Sequence, residues 1–209
     1  MDTMPSNRIA PGFADVLREA NFAFLEGSPD PSFALNSSME LAYINPAYLT
    51  FGCDNGGPCE DTFTGIGTFI GDFMSEPLRQ FYLDAYKMVM GNRKTWNHDY
   101  DCSSPSLYRR FKQSAYPLPK KGMVVINHLI EERAHSEVSA QPVKAVYLNI
   151  NGLIAQCSHC RKVRRQGSST QWDWVHEWVA NPPSEVTHSL CEPCADYYYE
   201  GLQLTLSKL

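Results

Sequence analysis

Four cysteines near the C-terminus limit what this chain can become more than any other feature. They stand as Cys157-Ser-His-Cys160 and Cys191-Glu-Pro-Cys194, with thirty residues between the pairs. Each pair is short enough to bend into a knuckle that aims two sulfurs at one point. Two knuckles complete a tetrahedron, the geometry zinc takes when its role is structural. Four thiolates leave no position for water, so the expected centre is closed and non-catalytic. Covalent haem attachment needs His directly after the second cysteine, where Arg161 and Ala195 stand. A redox dithiol would use one pair inside a βαβ pattern, which is absent. Two disulfides are the remaining alternative and need an oxidising compartment. His159 and His188 stay open as substitute ligands or as polar neighbours of the knuckles.

A chain of 209 residues holds one large or two small domains. A net charge of -5 argues against a generally basic nucleic-acid binder. No apolar run approaches the roughly 20 residues that span a bilayer, and no secretory signal opens the sequence. The expectation is a cytoplasmic protein in which cysteines serve as metal ligands or buried thiols. Cys53 and Cys59 are read as ordinary thiols.

Residues 1–10 read as a loose arm. From Pro11 to Glu26, Phe13, Val16, Leu17, Ala20 and Phe24 recur at helical spacing. The stripe needs a cover: its own domain, or the same helix of a second chain in a homodimer. Two short strands follow, Phe33–Leu35 and Leu41–Ile44. Asn45 then caps a helix that begins at Pro46. Ser75 to Met90 is the clearest helix, with Leu78, Phe81, Tyr82, Ala85, Met88 and Val89 on one face and Gly91 at its end. Trp96, His98, Tyr100 and Cys102 alternate with polar residues as in a half-buried strand. Asp99 and Asp101 fall on its exposed edge. Leu107–Leu118 and Met123–Ile130 are two further strands, joined as a hairpin through Lys120-Lys121-Gly122. This order is an α+β pattern and not a βαβ repeat.

Leu41-Ala-Tyr-Ile-Asn-Pro-Ala-Tyr48, with Tyr100-Asp-Cys-Ser-Ser-Pro105 and the two strands after it, resembles the PAS sensory domain over residues 30–132. The resemblance implies a five-stranded antiparallel sheet with helices over one face and a cavity between them for a small effector. The segment 150–200, with Cys-x-x-Cys followed by basic residues, a Trp-rich stretch and Thr-His-Ser-x-Cys-x-x-Cys, resembles a short cysteine-rich module found after PAS domains in bacterial signalling proteins. The expected organisation is an N-terminal helical segment at 1–29, a PAS-like domain at 30–132, a linker at 133–145 and a four-cysteine zinc module at 146–209. In that module, Val146–Ala155 reads as a strand and Gln171–Ala180 as a helix whose Trp172, Val175, Trp178 and Val179 face a core. A helix from Ala195 to Leu204 closes it.

The expected metal ligands are Cys157, Cys160, Cys191 and Cys194, with zinc as the cofactor. Within the PAS-like part, Tyr82, Tyr86, Trp96, His98, Tyr100 and Cys102 are the expected cavity lining, with His98 as polar anchor; a filled core is the competing reading. A lone histidine is a poor haem anchor, which disfavours haem at His98 or His128. Neither Cys53 nor Cys102 sits in the Asn-Cys-Arg motif of flavin photosensors. No phosphate-binding glycine loop, nucleophile elbow or His-Glu-x-x-His is present, so no enzyme is expected. The run Arg161-Lys-Val-Arg-Arg165 could touch phosphate, but nearby acids favour a solvated edge. The sequence points to a sensor that binds a small effector and a signalling partner protein. A DNA-associated regulator using the basic knuckle and an effector-free dimerisation scaffold are the rivals.

Overall fold

The computed structural model describes residues 7–19, 21–119 and 122–206, with side chains through residue 199. Two compact units emerge. One comprises Met1–Met74, Tyr82–Tyr100 and Phe111–Ile130; the other comprises Ser75–Phe81, Asp101–Arg110 and Glu131–Leu209.

In the first unit the leading amphipathic stretch is broken into α1 (Ala14–Glu19) and α2 (Phe22–Gly27). Asn21 adopts φ 58 between them, a left-handed conformation that a continuous helix does not allow. Strands β1 (Ser32–Leu35) and β2 (Leu41–Ile44) follow, buried along their whole length. Helix α3 (Pro46–Asp54) starts as expected: Asn45 Oδ1 accepts the Tyr48 N–H at 2.9 Å, and Pro46 occupies the first turn. A single 3-10 turn (Ile70–Phe73) leads to α4 (Leu78–Asn92). That helix runs through Gly91, and Arg93 closes it at φ 53. Its Met88 faces solvent at 47% exposure, while Tyr86, absent from the expected face, is buried.

Strands β3 (Trp96–Asp101), β4 (Leu107–Leu118) and β5 (Gly122–Ala134) complete a five-stranded antiparallel sheet in the order β2-β1-β5-β4-β3. The expected turn at Lys120-Lys121 lies outside the described residues. Gly122 has φ 128, and a Cβ there would lie 1.9 Å from the Leu35 carbonyl oxygen, so only glycine lets β5 approach β1.

One sheet face, through Phe33, Leu35, Ile44, Met123 and Val125, packs under Leu49, Ile70, Leu83, Tyr86 and Val89 of the helical layer. The other face, through Ala34, Ala42, Tyr43 and Val124, is covered by Ile9, Phe13, Val16, Leu17 and Leu25. Of the N-terminal stripe, Phe13, Val16 and Leu17 are spent on the chain's own sheet, Phe24 is 60% exposed, and Ala20 lies outside the described residues. Residues 7–10 are no loose arm. Arg8 is buried and grips Glu26 with two 2.8 Å hydrogen bonds, while Ile9 bridges Tyr43.

The second unit holds α5 (Lys144–Tyr147), β6 (Ile154–Cys157), β7 (Val163–Arg164), β8 (Trp172–Asp173), α6 (Glu177–Ala180), β9 (Val186–Ser189) and α7 (Glu192–Leu206). Four of its strands form a sheet in the order β8-β7-β6-β9, with β6 and β9 parallel. Two expectations fail here. Val146–Ala155 is not one strand: α5 and a turn come first, because the Asn149 side chain accepts the N–H groups of Asn151 and Leu153. Gln171–Ala180 is not one helix: Trp172 and Asp173 pair with Arg164 and Val163, and only the last four residues are helical. Val175 and Trp178 nonetheless enter the core with Tyr147, Ile154 and Val163. Among the described residues no helix is long and apolar enough to cross a membrane.

Candidate metal centre and cavity

Each cysteine pair is delivered by a strand. β6 ends on Cys157, whose N–H donates to the Lys162 carbonyl at 2.8 Å while its carbonyl accepts the Arg161 N–H at 3.0 Å. Arg161 turns the corner at φ 63. β9 runs beside β6, with Ser189 opposite Cys157, and the Ser158 N–H donates to the Ser189 carbonyl at 2.8 Å. The chain then enters α7, with Cys191 just before it and Cys194 in its first turn. The parallel pairing of β6 and β9 is thus what brings together two knuckles thirty residues apart.

The four Sγ atoms lie within 4.8 Å of one another. Cys160 and Cys191 sulfurs are 3.6 Å apart, far beyond a disulfide bond and close to the roughly 3.8 Å edge of a tetrahedral zinc tetrathiolate. Cys157, Cys191 and Cys194 are buried, and Trp172 and Leu190 pack against them. Hydrogen bonds from the neighbouring thiols hold Cys157 far below the ordinary thiol value, whereas Cys157 itself and its neighbours push Cys160 and Cys194 far up. Four sulfurs so crowded cannot all be thiolates without a cation among them. The donor set, burial and spacing fit zinc.

Neither histidine joins the cluster. His159 Nδ1 bonds the Tyr198 hydroxyl at 2.8 Å, and its Nε2 lies 3.4 Å from Asp101. His188 lies on the exposed side of β9. Asp101 is consequently no idle edge residue. Burial would raise its pKa, but hydrogen bonds from His159, Tyr108 and Arg110 outweigh that and hold it below the usual carboxylate value. The basic run is partly neutralised as well: Lys162 meets Glu137 at 3.0 Å and Arg165 meets Asp173 at 2.5 Å.

A cavity of about 290 Å³ opens in the first unit. Its walls are mostly aromatic, from Tyr48, Phe51, Phe63, Phe73, Tyr100 and Phe111. Tyr100 and Asn127 are tied together at one side: the Tyr100 hydroxyl donates to Asn127 Oδ1 at 3.1 Å, and Gln113 Nε2 donates to the same oxygen at 3.0 Å. Tyr86 completes that chain through a 2.8 Å bond to Gln113 Oε1. The Tyr48 hydroxyl has no hydrogen-bond partner among the described residues, and burial raises its pKa.

Of the six residues expected to line the cavity, Tyr100 does. Tyr82, Trp96 and His98 instead pack on one another, with Trp96 and His98 stacked at 5.4 Å and Tyr82 edge-on to both. Tyr86 is buried in the core, and Cys102 lies in the second unit, its thiol pushed up by burial. The α3 wall was within reach of sequence reasoning, because Tyr48, Leu49 and Phe51 follow the recognised Asn45-Pro46 cap. Phe63 and Phe73 sit in irregular segments that carry no periodic signal.

The expectation of free thiols at Cys53 and Cys59 is also overturned. The two form a disulfide on the exposed surface, between the end of α3 and the following turn. Gly57 N–H donates to the Gly52 carbonyl at 2.8 Å and folds the intervening residues back far enough for the sulfurs to meet. Gly52 and Pro58, each next to one of these cysteines, belong to the cavity rim.

No family model and no curated protein matches this sequence. Solved structures do. The PAS domain from Bordetella pertussis BvgS is 20% identical over 56% of this chain and 88% of that one, with a TM-score of 0.43. A domain of an HTR-like protein from Haloarcula marismortui is 17% identical over 50% of this chain and 100% of that one, at 0.37. A domain of a sensory box sensor histidine kinase/response regulator from Geobacter sulfurreducens is 14% identical over 57% and 99%, at 0.39. At such identities and scores no residue role passes from them to this chain.

Proposed function

We propose that this protein is a non-catalytic sensor of PAS type. A small, largely apolar effector occupies the aromatic cavity of the first unit, and a structural zinc bound by Cys157, Cys160, Cys191 and Cys194 holds the knuckles that a signalling partner protein reads. The cavity carries this reading. Its volume is near the lower end of small-molecule sites, its walls are apolar, and its polar groups are few and fixed. The hydroxyl of half-buried Tyr48 supplies a donor that a ligand acceptor would engage. The reading places the chain in a reducing cytoplasm, where thiolates stay available to zinc and the exposed Cys53–Cys59 bond is open to reduction. When bound, zinc supplies four bonds that replace the hydrophobic core a short segment lacks.

Native mass spectrometry of the purified protein, followed by a thermal-shift panel of what it identifies, tests the effector. The expected result is a bound compound that raises Tm in the parent. In Gly52→Leu the same compound has no effect, because the new side chain fills the rim while suiting the helix. Absence of any bound compound, with no shift across a metabolite panel, sinks the sensor reading in favour of an effector-free scaffold. Elemental analysis should give one zinc per chain.

A further inference from the structure

The second unit carries a pocket of about 340 Å³ that neither the zinc centre nor the effector cavity explains. Arg164 and Arg165 line it, with the turn Gly167-Ser168-Ser169 on one side and Asn149 on another. Arg164 pairs across the sheet with Trp172, and its guanidinium lies over the indole at 5.8 Å. At that distance the indole face attracts the cation without taking up its N–H donors. No carboxylate pairs with Arg164 among the described residues, although it is half-buried. Arg165 spends its Nε on Asp173, which also accepts the Tyr147 hydroxyl at 3.0 Å. Two guanidiniums against the single carboxylate of Asp173 leave one net positive charge at the pocket.

The turn adds neutral donors. Gly167 stands at φ +74, and the Ser168 hydroxyl accepts the N–H groups of Thr170 and Gln171, which fixes the loop shape. The N–H groups of Gly167 and Ser169 and the Ser169 hydroxyl have no bond among the described residues. Cations and donors drawn from a strand and a turn suit an anion with several acceptor oxygens better than a two-oxygen carboxylate. We propose that this pocket binds a tetrahedral oxyanion, the phosphate group of a small phosphorylated ligand. The basic run that follows the first knuckle thus acts at Arg164 and Arg165 as a pocket and not as a diffuse charged edge.

Calorimetric titration of the full zinc-bound chain with inorganic phosphate, and separately with a nucleoside monophosphate, tests this at ionic strength held constant with chloride. Saturable binding is expected, weakened roughly tenfold or more in Arg164→Gln. Ser169→Asp, on an exposed position, should weaken it as much by repelling the anion. Zinc content and circular dichroism verify folding of both variants, and Ser169→Asp decides if Arg164→Gln does not fold. No saturable heat, heat that chloride reproduces, or parent-like affinity in Ser169→Asp overturns the proposal. Binding of a short DNA duplex without binding of phosphate also overturns it, and assigns the run to nucleic acid.

Discussion

Asn45 does the work of several residues. Its Oδ1 accepts the N–H groups of Ser32 and Tyr48 at 2.9 Å each, and its Nδ2 donates to the carbonyls of Leu25 and Asp30 at 3.1 and 2.9 Å. The cap was legible from Asn-Pro; the ties to Leu25, Asp30 and Ser32 were not, because they depend on how the chain folds back. Asn45→Ala strips partners from buried groups on both sides, so chemical denaturation should show a loss of about 3 kcal/mol, more than an ordinary cap. Glu26 offers a pH test. Burial alone would raise its pKa, but hydrogen bonds from Arg8 and Tyr43 outweigh it and hold the value below the usual 4.5. Its contribution to stability is therefore present above the unfolded carboxylate value and lost as pH falls through the lowered folded one. Glu26→Gln should cost about 2 kcal/mol at neutral pH and progressively less as pH falls below 4.5, as read by urea midpoints at each pH. Gly122→Ala should prevent folding or cost several kcal/mol, because the added Cβ meets the Leu35 carbonyl with no room to move.

At the scale of elements, the strands and the long helix were readable where a period persists for several residues. β4 alternates through buried Phe111, Gln113 and Ala115, and α4 buries Ala85, Tyr86 and Val89. Short elements were not readable. Trp172 joins a two-residue strand because Arg164 lies across from it, a fact that local propensity does not contain. The Cys53–Cys59 bond likewise depends on a turn with Gly56 at φ 81 that reverses the chain between the two sulfurs. Reducing that bond frees a loop with a sequence separation of six, so the entropic estimate of lost stability is about 2 kcal/mol. Cys53→Ser should match the reduced protein and be insensitive to reductant in thermal melts; a larger drop would mean the bond also shapes the cavity rim.

For the molecule as a whole, a metal held by the four clustered cysteines would be the stronger constraint on the second unit. The core of Tyr147, Ile154, Val163, Val175 and Trp178 is small, and the sulfurs close the parallel pairing of β6 and β9. A strong zinc chelator should abolish amide-exchange protection over β6 and β9 while β1, β2 and β5 stay protected near Val124. Equal loss in both units would contradict a metal that acts on one of them. Cys191→Ser should show the same pattern without chelator, with zinc content falling below one per chain.

Ligand chemistry belonged to the sequence alone. Two Cys-x-x-Cys pairs single out four sulfur donors suited to a metal wherever the intervening residues go, since thiolate preference is a property of the atoms. The alternation of strands and the Asn-Pro cap were local in the same sense. Tertiary structure decided which surfaces meet. It split the leading helix and laid it on its own sheet, joined Cys53 to Cys59, and built the cavity from Tyr48, Phe63, Phe73 and Phe111 while spending Tyr82, Trp96 and His98 on one another. Those outcomes depend on residues far apart in sequence competing for the same buried space, and no local pattern records who wins that competition.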